Sequence, residues 1–147
     1  LSEARQDTVA ALADRYRLPR PRTALGPSLA GIATAAADIS DGLIADLGHI
    51  AEASAVGAWI EFERLPLSDE ARQIVMDRRE LLSMAATAGD DYELVFTVPK
   101  EKIATLLENW SGVSVTRIGT ITANSSVRAV DLHGETVSFP RTGFRHA

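Results

Sequence analysis

Two short acidic stretches hold the residue types best suited to chemistry in this chain. The first is Ala36-Ala37-Asp38-Ile39-Ser40-Asp41-Gly42-Leu43-Ile44-Ala45-Asp46-Leu47, which packs three carboxylates and a hydroxyl between positions 38 and 46. If Asp38, Ile39 and Ser40 are extended, the side chains of Asp38 and Ser40 point one way and Ile39 the other. Ser40 or Asp41 can then cap the helix that follows, accepting a backbone N–H left unpaired in its first turn. Gly42 removes side-chain bulk, so a ligand could come close to the backbone there. Carboxylates supply oxygen ligands to a hard cation such as magnesium, and helix-start amides suit phosphate oxygens. Asp, Ser and Gly before an apolar helix are equally the residues of an ordinary cap and turn.

The second stretch, Asp90-Asp91-Tyr92-Glu93, stands at the entrance to a strand. Both clusters fall at transitions between elements, where side chains reach an open edge. Together they suggest a divalent-metal or ligand site more than either does alone. The residues by themselves leave that reading level with one in which each cluster caps or solvates its own element.

The elements that must position these residues follow from periodicity. Ser2 to Arg17 reads as a helix, with Val9, Leu12, Ala13 and Tyr16 at helical spacing. Pro19 and Pro21 end it and leave 18–22 extended, a solvated linker whose Arg20 and Arg22, with Arg17 before them, could also meet an anion or a neighbouring domain. Leu25-Gly26-Pro27-Ser28 predicts a turn and Leu29 to Thr34 a short helix. Leu43, Leu47, Ile50 and Ala51 mark an amphipathic helix to about Ser54, with Asp46 and His49 paired on its surface. His49 is expected there as a surface histidine. Gly57 ends that helix, and Ala58, Ile60 and Phe62 alternate as in a half-buried strand, making a strand–helix–strand unit. Ser68 caps a helix to about Asp77, and a second runs from Glu80 to Ala88 before Gly89 stops it. Tyr92, Leu94, Phe96 and Val98 share one strand face. A helix over Lys100–Trp110 follows, with Ile103, Leu106, Leu107 and Trp110 on one side. Then come a strand over Val113–Ile121 and a hairpin of Val127–Leu132 with Thr136–Phe139 around His133-Gly134.

At 147 residues the chain has single-domain size and can bury a core. A net charge of −5 weighs against broad nucleic-acid binding, since phosphate backbones attract basic surfaces. The absence of cysteine excludes disulfides and thiolate metal sites. No apolar run has membrane-spanning length and no signal-peptide pattern opens the chain, so a cytoplasmic protein is expected. Strands and helices alternate without doubly wound order, which predicts an α+β domain with helices on a mixed or largely antiparallel sheet.

The stretches 36–43, Asp46-Leu47-Gly48-His49-Ile50 and Gly89-Asp90-Asp91-Tyr92-Glu93-Leu94-Val95-Phe96 resemble thiamine-monophosphate kinase. So do Pro19-Arg20-Pro21-Arg22-Thr23-Ala24-Leu25-Gly26 and the ending Gly143-Phe144-Arg145-His146. The likeness covers only the second half of that kinase. It implies a PurM-type C-terminal α/β sandwich over 27–147, entered by a helix and linker over 1–26. The first half, an ATP-binding domain through which the full-length enzyme is expected to be a homodimer, has no counterpart here. The implied activity is magnesium-dependent transfer of phosphate from ATP to thiamine monophosphate. By motif, Asp38, Ser40, Asp41 and Gly42 would face the metal and phosphates, with Asp41 and Asp38 as magnesium ligands and Asp41 and Ser40 catalytic. Asp90, Asp91 and Glu93 would lie near the thiamine phosphate, and Phe144 could stack on the thiamine ring. The family often has Glu where this chain has Asp90, and the shorter side chain reaches less far. The resemblance leaves two alternatives. One is another ATP-using relative from purine synthesis, selenophosphate synthesis or hydrogenase maturation. The other is a catalytically silent binding domain.

Overall fold

The computed structural model describes residues 3–75, 78–108 and 112–139, in the order α1 (Glu3–Arg17), α2 (Leu25–Leu29), β1 (Ala35–Asp38), α3 (Leu43–Ala53), β2 (Gly57–Glu61), α4 (Asp69–Val75), α5 (Arg79–Thr87), β3 (Leu94–Thr97), α6 (Ile103–Glu108), β4 (Gly119–Thr122), β5 (Val127–Val130) and β6 (Thr136–Val137). Helix α3 is the centre of packing because its apolar residues recur on one face. Leu43, Ile44, Leu47 and Ile50 are buried against Ile39, Ala58, Ile60, Phe62, Val95 and Ala129. These come from both sheets, so α3 joins them into one core.

Strands β1 and β3 pair antiparallel in a two-stranded sheet. The second sheet has the order β4-β2-β5-β6, with β2 parallel to β5 and the other pairs antiparallel. The architecture is α+β with a mixed sheet, as the residue pattern predicts. The expected strand–helix–strand unit is present in sequence, but β1 and β2 belong to different sheets. Alternation tells which face of a strand is buried, not which strand pairs with it.

Other differences have local causes. Leu25–Leu29 is a helix, not a turn, because Pro27 falls in its first turn, where an N–H has no intrahelical acceptor. The helix expected over Leu29–Thr34 is replaced by a turn at Gly31, with the N–H groups of Ile32 and Ala33 on the Leu29 carbonyl. The helix after the acidic stretch closes at Ala53, and Gly57 starts β2 instead of ending α3. Phe62 leaves β2 for a short 3-10 turn but stays fully buried. Strand β4 begins at Gly119, later than the Val113 expected. Leu94, Phe96 and Val98 pack on a second cluster of Leu25, Leu29, Ile32 and Leu106, while Tyr92 is exposed and off that face. On α1, Thr8 is buried, its hydroxyl hydrogen-bonding Gln73 at 3.3 Å, whereas Val9 and Tyr16 are exposed. Ser68 caps α4 as expected, its oxygen accepting the Ala71 N–H. The expected ends of two helices, Asp77 and Trp110, lie outside the described residues.

Phe62 fills the space between the layers, edge-on to Phe139 at 5.9 Å. Replacing it with alanine leaves a cavity that the core closes only in part. Phe62→Ala is expected to lower unfolding free energy by about 3–5 kcal/mol, read as a lower urea midpoint at unchanged slope.

Candidate functional site

The pairing of β1 with β3 runs from Ala35 opposite Thr97 to Asp38 opposite Leu94. It continues past both strands. The Ile39 N–H donates to the Glu93 carbonyl at 2.9 Å, the Asp91 N–H to the Ile39 carbonyl at 3.1 Å, and the Asp90 N–H to the Ser40 carbonyl at 3.0 Å. The two acidic stretches are therefore one edge. Two glycines permit the approach. A Cβ on Gly89 would stand 2.1 Å from the Ser40 carbonyl oxygen, and one on Gly42 2.7 Å from that of Thr87. Gly42 also has φ of 107°, open to glycine and strained for other residues. The space that Gly42 leaves is thus filled by the end of α5. It is not the open backbone that the sequence suggested for a ligand.

Asp38 is exposed, Ile39 buried and Ser40 half-buried, the alternation expected of an extended segment. The N-cap position expected of Ser40 or Asp41 goes to another residue. The N-cap is Gly42, with no side-chain cap. Instead Asp46, in the first turn of α3, reaches back. Its Oδ2 accepts the backbone N–H groups of both Ser40 and Asp41 at 3.0 Å. The carboxylate reaches back from the first turn as the acid of a capping box does, but to residues ahead of the Gly42 cap and with no bond returned, so the sequence spacing did not announce it. Asp46 is only 4% exposed, so the surface pair expected with His49 is a contact between a buried carboxylate and an exposed imidazole, Oδ1 to Nδ1 3.6 Å. Asp41, Asp46 and His49 each offer a ligand atom within 4.8 Å of the others. Asp38 is not part of that group.

Glu93 is held from the N-terminal segment. Arg22 grips it with Nε on Oε2 at 2.8 Å and Nη2 on Oε1 at 2.6 Å, and Arg15 adds Nη2 on Oε1. The sequence favoured a solvated linker for 18–22, with an anion or neighbouring domain as the other use of its arginines, and did not identify Glu93 as the anion that Arg22 meets. Both Glu93 oxygens, expected near a substrate, are used within the protein. Asp90 and Tyr92 have φ of 62° and 56°, the left-handed region, so the loop alternates direction between the clusters. Asp91 lies among charges. Loss of surrounding water and then Glu93 push its carboxyl up to about 6, against the pull of Arg15 and with smaller upward effects of Asp90 and Asp46. Phe144 lies outside the described residues.

Asp46→Ala would leave two loop N–H groups without their acceptor and is expected to cost about 1–3 kcal/mol, measured by urea unfolding. Asp46→Asn keeps one acceptor oxygen and should cost less. Asp91 predicts a pH effect. Its folded-state value lies above the ordinary 3.8, so the folded protein holds that proton more tightly than the unfolded one. Asp91 therefore contributes most to stability below pH 4 and loses that contribution as pH rises through 6. Asp91→Asn should remove this decline, seen as a shrinking wild-type-to-variant stability difference on the acid side.

The family model described as AIR synthase related protein, C-terminal domain, matches residues 2–131. The thiamine-monophosphate kinase of Salmonella typhimurium is 40% identical over 137 residues, covering 92% of this chain and 42% of that protein. The crystal structure of thiamine-monophosphate kinase from Stenotrophomonas maltophilia K279a superposes with a TM-score of 0.78 at 38% identity, over 89% of this chain and 41% of that one. AaThiL complexed with AMPPCP and TMP gives 0.75 at 32% identity, over 95% and 42%. The chain spans about 42% of the length of these relatives. It belongs to the AIR synthase related protein, C-terminal domain family, as the part corresponding to the C-terminal domain of thiamine-monophosphate kinases.

Proposed function

We propose that this chain is the C-terminal half of an ATP-dependent thiamine-monophosphate kinase, working with a preceding ATP-binding domain in a homodimeric cytoplasmic enzyme. In this reading, 1–26 leads into a domain over 27–147. The observation that carries it is the joining of 38–41 and 90–93 on one edge, in a chain 40% identical to a kinase of that name. A relative bound to AMPPCP and TMP supports ATP and thiamine monophosphate as the ligands.

Asp41 and Asp38 would hold magnesium. One or two carboxylates completed by water and substrate phosphates is its usual arrangement, and Asp41 sits in the grouping with Asp46. Bound there, the ion would neutralise phosphate charge during transfer. The Asp46 contacts fix the backbone of Ser40 and Asp41, so the Asp41 carboxylate and Ser40 hydroxyl start from a set position. Gly42 contributes by letting that backbone turn against α5. The acceptor, itself an ionised phosphate, needs no strong general base, and none is required of this edge. Asp90 and Asp91 face the acceptor side, with Glu93 holding their loop, and Phe144 is assigned to the thiamine ring by resemblance.

The test is an NMR titration of the chain with thiamine monophosphate and magnesium, against AMP and a purine-pathway ribotide. Shifts confined to 38–42, 90–93 and the region of Phe144, with thiamine monophosphate alone, support the reading. A response to the ribotide instead moves the chain to a purine-pathway relative. In the full-length enzyme, Asp41→Asn is expected to cut turnover by about two orders of magnitude or more at little change in melting temperature. Unchanged turnover would remove Asp41 from the metal site.

A further inference from the structure

We infer that Glu93 is a positioning residue, through which Arg15 and Arg22 lock the 89–93 loop and tie it to the segment 15–22. The clamp has two ends on one carboxylate. Arg15 stands in the last turn of α1, and Arg22 follows the Pro19 and Pro21 that stiffen the connection. Between them, 15–22 is a strap closed on Glu93. Arg22 approaches with two parallel N–H donors, the geometry that fixes orientation as well as distance.

Three observations make this a matter of placement more than of stability. The ion pairs are partly open to water, with Glu93 37% and Arg15 37% exposed, and such pairs add little to folding. The loop carries two non-glycine residues with positive φ, Asp90 and Tyr92, a shape that persists only when neighbouring contacts hold it. Asp90 and Asp91 donate to the Ser40 and Ile39 carbonyls, and beside them Glu93 receives the Ile39 N–H on its carbonyl and the arginines on its carboxylate. Glu93 is thus the loop residue held both by backbone on the β1 side and by side chain on the α1 side. A change at Arg22, which is not itself on the acidic edge, should be felt at Asp90 and Asp91.

The proposal rests on the kinase reading for its kinetic test, which uses the full-length enzyme with Glu93→Gln, Arg22→Ala and Arg22→Lys. KM for thiamine monophosphate is expected to rise about tenfold in Glu93→Gln and Arg22→Ala with kcat within about twofold, the signature of lost substrate binding. Arg22→Lys, which keeps charge but loses the fork, should fall between Arg22→Ala and wild type. A purely structural role gives the opposite split, lower apparent kcat from less folded enzyme at unchanged KM, and overturns the proposal. In parallel, amide spectra of this chain should show Glu93→Gln shifting Ile39, Ser40, Asp90 and Asp91 but not β2, β5 and β6. Shifts spread over both sheets, or none at 90–91, overturn it too. If Glu93→Gln does not fold, Arg22→Lys supplies the same comparison. A wild-type enzyme that transfers no phosphate to thiamine monophosphate refutes the kinase reading, and the amide spectra then decide the clamp independently.

Discussion

The hydrogen-bond ladder between β1 and β3 outlasts its two strands, and the acidic edge depends on that continuation. Its register is held from both sides. Val95 points into the core around α3, while Leu94 and Phe96 pack on the smaller cluster of Leu25, Leu29, Ile32 and Leu106. A slip by one residue would exchange these faces, placing side chains of the wrong size in each core. With Asp38 fixed opposite Leu94, chain geometry brings 39 and 40 to 93, 91 and 90. Apolar packing away from the edge thus decides which carboxylates become neighbours.

Asp46 changes how that edge can meet a phosphate. A carboxylate nearly removed from water requires hydrogen bonds, and Asp46 finds them in the N–H groups of Ser40 and Asp41. These are amides just before α3, of the kind that a phosphate would use at a helix start. Being committed to Asp46, they are not the donors for such a ligand in this arrangement. Under the kinase reading, phosphate contact here passes through carboxylates and a cation, in keeping with a segment rich in Asp and poor in Lys or Arg.

What the sequence revealed and what it concealed divide along the distance between partners. The face of α3, the burial alternation of β2, the Ser68 cap and the β5–β6 hairpin were legible because each is set by residues within a few positions of one another. The acidic residues were legible as candidates for the same reason. Their union was not, since periodicity carries no record of which distant strand completes a sheet. The Glu93 clamp was hidden behind two prolines that made 18–22 look like a solvated connection. Helical spacing identified α1 but not the face it buries, which is set by a distant partner: α1 rests on α4 through Thr8 and turns Val9 and Tyr16 outward.

Charge balance on the edge bears both on the clamp and on the cation proposed for it. Asp91 has Glu93, Asp90 and Asp46 as neighbours of like charge and Arg15 as the opposing one, and with partial loss of water its carboxyl rises to about 6. Arg15 and Arg22 are already committed to Glu93. They settle that one carboxylate, while Asp38, Asp90 and Asp91 bring further negative charge to the same edge. His49 contacts Asp46 but stands exposed to water. Carboxylates gathered this closely repel one another, and under the kinase reading a divalent cation would offset that repulsion. The arginine clamp then has a second consequence. By countering Glu93, the like charge that acts most on Asp91, it eases the repulsion within the loop.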